Sequence, residues 1–490
     1  MDIGSNSSIY FFMQIEVRRP DIYALVKQAV ADGLQVVQRI EKEGKYIGRY
    51  YQFPKLDLFK SGFPHFLRHS FGEGPFEYDA LFSYGRSRAG AIGASDSRVD
   101  CGKIGSWVEF GKLAEGDEFL KAYFSLGSMC KYPESILEEA HTRYYTFGTI
   151  SRFVDRFVHL AKTTQFEESI FGNIYREWEA SVFLDELPFS IYVPIICTKF
   201  DFDIGTLDER STVARMCDDF HLARNVERDF NYGVHRVVIG AATHALVLDG
   251  WVVPNRTIEQ SGEILTELGA FSSVIPLIEN FFAALRAVCG VETGYAQFVI
   301  KPSGWSRSWQ AHLPSVQIVS TRNYPDHFES HGWLRDPPAI NLETLTQVSL
   351  VYRALKEAKN NRLAIAAKRL NAAYLRKDEA DSILDVTIAL EALLGDEAKT
   401  EMTHKLALRL AALSVIEPFK EEKPPEVFGF VKKIYAYRSA IVHGSKKSET
   451  KRTIALKNNE EIPVSSQQSR DPRLSEWFSE GNEGRLRKRI

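Results

Sequence analysis

The run from Pro424 to Gly444, PPEVFGFVKKIYAYRSAIVHG, constrains this chain more than any other stretch. Val427, Phe430, Val431, Ile434, Tyr435, Ile441 and Val442 recur at spacings of three and four, which places them on one face of a helix. Arg438 falls inside that stripe, three residues after Tyr435 and four before Val442. Burying a lone charge is prohibitive, so this arginine must be paired, or must face a site or a partner chain. His443 ends the run just before a terminating glycine.

At 490 residues the chain exceeds one ordinary core, and two or three domains are expected. With 44% hydrophobic and 26% charged residues the composition is that of a globular protein. A net charge of -3 gives no whole-molecule attraction to nucleic acid or an anionic membrane, so any such binding must come from a local patch. Cys101, Cys130, Cys197, Cys217 and Cys289 show no C-x-x-C spacing. That argues against a disulfide framework or a cysteine zinc site and favours a reducing compartment. The opening MDIGSNSSIYFFMQIEVRRP has a short apolar run without a basic leader, so no signal peptide is expected. No apolar stretch approaches the length of a membrane span. A soluble, cytoplasmic protein with no membrane partner is the expectation.

The chain reads as α+β. A helix starts at Asp21 and ends at the glycine of EKEGK. YIGRYYQF, FEYDALFSY, GSWVEF and FLKAYFSL are short, aromatic and roughly alternating, so strands are expected there and residues 1–150 read as a β-rich region behind a leading helix. The break GRSRAGAIGAS from Gly85 lacks the G-K-[ST] ending of a phosphate loop and reads as a turn. Residues 151–335 mix helical periods with strands, without regular β-α alternation, and form a candidate sensor region. Within it, PFSIYVPIICTKFDFDIG, VHRVVIGAATHALVLDGW, ETGYAQFVIKP and PSVQIVST read as strands, and ERSTVARMCDDFHLARNVER as helical. The proline pair of LRDPPAIN opens a helical region, 336–444, and the polar stretch 445–490 is expected to be weakly ordered.

Two spots in the α+β region bear on binding. KPSGWSRSWQAH interleaves Lys301, Trp305, Arg307, Trp309 and His312, a composition that can stack a base and hold a phosphate, or can anchor a loop to the core. Of these, Trp305, Arg307 and Trp309 are the candidate binding residues. His327 and His331 are four apart, but Pro325 and Gly332 around them suit a loop, and no third ligand follows at a fixed offset. No metal and no cofactor is therefore expected.

In the helical region, NRLAIAAKRLNAAYLRKD carries Lys368, Arg369, Arg376 and Lys377 as a positive patch. The next helix, DEADSILDVTIALEALLG, is apolar except at Asp385, Thr387 and Glu391, and the last two share a face. IALEALLG, KLALRLAAL and VKKIYAYRSAIVHG together resemble the HEPN domains, specifically the Apea-like group found in bacterial defence proteins. The shared feature is an arginine, four to six residues, then a histidine near the end of a late helix, here Arg438 and His443. The resemblance covers about residues 340 to 444. It implies a small helical bundle that homodimerises, often a metal-independent ribonuclease acting as a toxin or antiviral effector. It further implies Arg438 and His443 as the catalytic pair, RNA as substrate, and a phage-derived or other trigger ligand for the N-terminal region. Ser439 stands after the arginine, where many nuclease members carry Asn, Asp or His and the Apea-like group accepts Ser.

The chemistry is coherent from the residues upward. Cleaving RNA without metal needs a proton donor or acceptor for the reacting oxygens and a cation for the charge that builds on phosphorus. Five residues on an ideal helix leave the two side chains about 140° apart and about 7 Å along the axis, so a second helix must complete the site. The competing reading is a non-catalytic binding or scaffolding protein in which Arg438 forms a buried ion pair with Glu391.

Overall fold

The computed structural model describes residues 17–51, 53–83, 98–125, 138–226, 235–255, 270–359, 361–396, 401–416, 423–443, 453–455 and 461–463. The glycine-rich break from Gly85 lies outside them, as does most of 445–490, where Thr453–Ala455 and Glu461–Pro463 pair antiparallel. The chain is mixed α+β, with its described C-terminal elements helical from Leu342 to Val442.

The N-terminal layer is mainly helical. Helices α1 (Pro20–Lys42), α2 (Gly105–Gly116), α3 (Glu118–Ser125), α4 (Glu138–Ala161) and α5 (Glu168–Phe183) close around Trp107, Phe110, Phe153, Phe157 and Trp178. Gly33 lets α1 approach α4, since a Cβ there would stand 2.5 Å from Val154 Cγ2. Gly44, at φ 63°, ends α1 as the sequence indicates, with Lys45 N bonded to Ile40 O at 3.1 Å. Glu179 closes the other end, accepting from Arg18 N and Arg19 N at 3.1 and 3.0 Å. The expectation of strands here is corrected. GSWVEF and FLKAYFSL are the helices α2 and α3, and FEYDALFSY holds a 3₁₀ turn, Asp79–Leu81, and a two-residue strand, β3 (Phe82–Ser83), beside β4 (Val99–Asp100). YIGRYYQF makes only an isolated bridge, while β1 (Pro54–Leu58) and β2 (Pro64–Arg68) form a hairpin beyond it.

The centre is a six-stranded sheet of order β10-β9-β5-β8-β7-β6, antiparallel throughout. Its strands are β5 (Glu186–Pro194), β6 (Ile204–Asp208), β7 (Ser211–Arg215), β8 (His244–Pro254), β9 (Tyr295–Pro302) and β10 (Gln317–Asn323). Ser211–Arg215, placed in a helix by the sequence reading, is a strand, and among the described residues there Asp218–Val226 (α6) is the helical part. VHRVVIGAATHALVLDGW is a short helix, α7 (Arg236–Gly240), and one strand rather than a strand pair. Both faces are covered. Phe189, Ile191 and Val193 pack with α8 (Ala270–Cys289), while Tyr192 turns to the α6–α7 side with Phe53, Phe63 and Phe220. Double cover explains why β9 is a nearly continuous apolar run instead of an alternating one.

Around His327 the chain makes one helical turn, α9 (Phe328–His331), and His327 Nε2 lies 3.0 Å from Glu292. After the proline pair come α10 (Leu342–Glu357), α11 (Asn361–Leu375), α12 (Glu379–Leu394), α13 (Met402–Ile416) and α14 (Pro424–Val442). The first of these belongs to the sheet's core through Leu345, Val348 and Tyr352. Helix α11 bridges, lying against α8 on one side and α12 on the other. Helices α12, α13 and α14 share a smaller core of Leu390, Leu406, Leu410, Val427, Val431 and Tyr435. Among the described residues no helix is long and apolar enough to cross a membrane.

Candidate functional site

Helix α14 forms for reasons visible in its sequence. Pro424 and Pro425 occupy the first turn, where a missing N–H leaves no hydrogen bond unmade, and Glu426 Oε2 accepts from Lys423 N at 2.9 Å. Val427, Val431 and Tyr435 are buried as a four-residue ridge against α12 and α13, while Tyr437 joins Ile383 on a second contact. The stripe is not buried along its whole length, however. Val442 is 57% exposed, a correction to the continuous face expected from periodicity. Arg438 sits where the ridge leaves the core.

The arginine meets Glu391 in the last turn of α12. Arg438 Nη2 lies 3.7 Å from Glu391 Oε1, with the two side chains 34% and 26% exposed. That separation is an ion pair looser than a hydrogen bond. Arg438 Nε is buried with no hydrogen-bond partner among the described residues. Tyr435 completes the cluster. Its hydroxyl donates to Thr387 O at 3.4 Å, and burial together with the Glu391 charge pushes its ionisation well above the usual phenol range. Thr387 and Glu391, four apart on α12, therefore both face α14, as their spacing predicts. Tyr435 has a part in the cluster that its apolar position concealed; its place three residues before Arg438 was the available signal.

His443 is exposed at the C-cap, its N–H bonded to Ser439 O at 3.1 Å, and Ser439 is exposed beside it. The structure thus brings Arg438, Glu391 and Tyr435 together and leaves Ser439 and His443 on the open end of the same helix. Asp385, the other polar residue of α12, faces away. It is buried and receives Arg369 at 2.6 Å and Arg376 at 2.9 Å, so two cations of the positive patch are already neutralised.

The tryptophan loop is anchored. Trp305 is 3% exposed and donates to Pro188 O at 2.7 Å, leaving no free ring face for a ligand. Trp309 donates to Glu177 Oε2 at 3.0 Å and packs edge-on against Phe153. Arg307 reaches Asn255 Oδ1 at 3.0 Å. Of the two readings of this loop, these contacts are those of a core anchor at Trp305.

Comparison with family models, curated proteins and solved structures finds no match to this chain.

Proposed function

We propose that the C-terminal helices carry a metal-independent RNA endonuclease site built on Arg438 and His443, completed by a second copy of the chain. The observation that supports this reading most is the state of Arg438: positioned by Glu391, yet with a long ion pair and one-third of its side chain exposed. An arginine serving only to neutralise a buried carboxylate would be expected to close onto it. Glu391 and Tyr435 act as positioning groups in this scheme, and the guanidinium remains able to take a phosphate oxygen through its outward donors.

In the reaction, the 2′-oxygen of the substrate attacks phosphorus and the bond to the 5′-oxygen breaks. The proton lost from the 2′-hydroxyl passes to a base, and the departing 5′-oxygen receives one. His443, exposed at the end of α14, fits the donor role. Arg438 offsets the extra negative charge on the phosphoryl oxygens. With about 140° between the two side chains, a symmetric pair of α14 helices supplies the arginine of one copy and the histidine of the other. The N-terminal helices and sheet then serve as the region that restrains or triggers cleavage. A bundle of the HEPN type, with its defence-related role, belongs to the same proposal.

Expression of the wild type, Arg438→Ala and His443→Ala, followed by RNA cleavage with EDTA present, tests this reading. Loss of about 100-fold or more in each folded variant is expected from removing a general acid or a charge-stabilising cation. Unchanged cleavage in both would refute it. The Arg438–Glu391 pair is also what a non-catalytic scaffold would contain; on that reading Arg438→Ala lowers stability and no cleavage depends on it.

A further inference from the structure

We propose that His159 and His312 form a proton-operated latch between the N-terminal helical layer and the sheet, closed while one of the two imidazoles is neutral and opened when both are protonated. The proposal rests on no property of Arg438 or His443. The rings stand on different elements, His159 in the last turn of α4 and His312 in the turn that precedes β10. Their centroids are 6.4 Å apart.

One stretch of α4 holds both segments that meet there. Arg156 is 8% exposed and donates through Nη1 to Ala311 O at 3.1 Å and to Leu313 O at 2.8 Å. A single guanidinium thus spans the turn from Gln310 to Leu313, which Leu313 N closes onto Gln310 O at 3.0 Å. Ala311 lies in this turn at φ 50°, a left-handed conformation unfavourable for a residue with a side chain, so the turn depends on what packs against it. Asp155 accepts from the Tyr50 hydroxyl at 2.8 Å and from Tyr78 N at 2.9 Å, and His159 Nε2 lies 2.9 Å from Phe76 O. Both legs of the β1–β2 hairpin are therefore tied to the helical turn that faces His312. Phe53, Ala311 and Leu313 belong to the core beneath the sheet, whereas Phe153 and Phe157 of α4 belong to the helical core, so residues 155–159 sit on the seam between the two.

The charged groups around the pair come from several elements. Arg156 and Lys162 of α4 are the cations. Asp155 Oδ1 lies 3.5 Å from His159 Nε2, and Asp219 Oδ1 of α6 lies 3.6 Å from His312 Nε2. Glu177 of α5 acts on Arg156 and is held by Trp309 at 3.0 Å. Tyr50 and Tyr78 stay neutral, since burial pushes their ionisation up. A first proton has a carboxylate beside it on either ring. A second must enter 6.4 Å from the first, in a half-buried place that already holds Arg156 and Lys162, where like charges repel more than in water. Burial pushes the His312 pKa down, Asp219 opposes this, and His159, Arg156 and Lys162 add to the depression. The open turn thus binds a proton that the closed turn takes up less readily. Closure is intact above about pH 6.5 and weakens as pH falls toward the lowered pKa of folded His312.

Hydrogen exchange of the full chain between about pH 7.5 and 5.5, expressed as protection so that the chemical rate cancels, tests the latch. Peptides spanning 308–316 should lose protection as pH falls, by up to about 10-fold per pH unit for a proton taken up on opening, while peptides from β5 and β8 keep theirs. In His312→Gln that loss should disappear. In His159→Gln it should move to lower pH, because the proton on His312 no longer meets a second one. Lys162→Gln, at an exposed position, should shift it the same way and leave protection at about pH 7.5 unchanged. Protection of 308–316 that is flat with pH would overturn the proposal. So would a loss that both folded histidine variants leave unaltered, or one that β5 and β8 share equally, which would assign it to unfolding of the whole chain.

Discussion

Asn371 fastens α11 to α8, and replacing it gives a large, calculable effect. It is buried on the side of α11 that faces α8. Its amide donates to Glu279 O at 2.8 Å and to Glu279 Oε2 at 2.6 Å, while its carbonyl accepts from Arg286 Nη1. Arg286 is 1% exposed, bonded also to Thr293 O at 2.7 Å, and burial lowers its pKa to about 10. Glu279 Oε1 is separately satisfied by Tyr295 and Asn323, both at 2.9 Å. Asn371→Leu keeps the branched shape but leaves a buried guanidinium N–H and Glu279 Oε2 without their Asn371 partner, while Glu279 O keeps its bond within α8. Counting the cationic donor in full and the half-buried Glu279 at the low end gives a loss of about 4 kcal/mol. The double variant Arg286→Met/Asn371→Leu removes the orphaned charge and should be about 2 kcal/mol more stable than Asn371→Leu alone. Urea unfolding can be followed by tryptophan fluorescence and by far-ultraviolet dichroism together. Six of the seven tryptophans precede Leu334, so fluorescence reports chiefly the N-terminal layers while dichroism also reports α11–α14. In Asn371→Leu the dichroism transition should move to lower urea ahead of the fluorescence. A cost below about 1 kcal/mol, or a double variant no better than the single, would refute the account of this node.

Two further outcomes follow from buried groups. His221 is held near a pKa of about 2, chiefly by burial and then by Arg224 and His244, so it stays neutral when folded and takes its proton on unfolding. Stability is therefore intact above about pH 6.5 and falls as pH drops below it, and His221→Gln should reduce that acid slope by about 1.4 kcal/mol per pH unit in unfolding titrations between about pH 6.5 and 4.5. An unchanged slope would show that His221 is protonated in the folded protein. Gly294→Ala should cost about 2 kcal/mol or more in denaturant unfolding, because its Cβ would stand 2.7 Å from Tyr324 Cα and nearer still to the Asn323 carbonyl, and backbone yields less than side chain. A neutral result would show that β10 can shift.

Legibility in the sequence followed how uniquely a pattern selects one period. Strands β5, β9 and β10 were legible because β-branched and aromatic runs of strand length were bounded by turn residues. Helix α2 was not. In GSWVEF the alternation of Trp107 and Phe110 with polar neighbours fits either period over so few residues, and the helix declares itself only when Ala114 extends the buried series 107, 110, 114. Helix α3 hides in the same way, with Leu120 and Phe124 as its buried pair. Strand β7 lacked punctuation. Its hairpin with β6 turns through Glu209 and Arg210, neither of them a residue that marks a turn, so STVAR merged with the helix that follows. The tryptophan loop stayed open between two readings for a different reason, since composition cannot say which side of a loop faces the core.

Helix α12 shows what the Arg438 site adds beyond its pattern. Both of its interior acids were legible as exceptions to an apolar helix, and six residues of separation turns them about 120° apart. Asp385 faces α11 and binds two arginines at 2.6 and 2.9 Å. Glu391 faces α14, has one arginine, and holds it at 3.7 Å. The same chemistry on one helix thus gives a closed ion cluster and an open one, and packing decides between them. Arg369 extends from α11, a helix that lies along α12, and Arg376 from the residue just past its end, whereas Arg438 extends from the end of a ridge whose next member, Val442, already stands in solvent. A carboxylate that fully neutralised Arg438 would remove the cation from any phosphate. One that fixes its position while leaving its donors outward preserves it. Glu391→Gln therefore separates orientation from charge: it keeps a hydrogen-bonding side chain beside the guanidinium, so a folded variant that retains cleavage would assign Glu391 to placement alone.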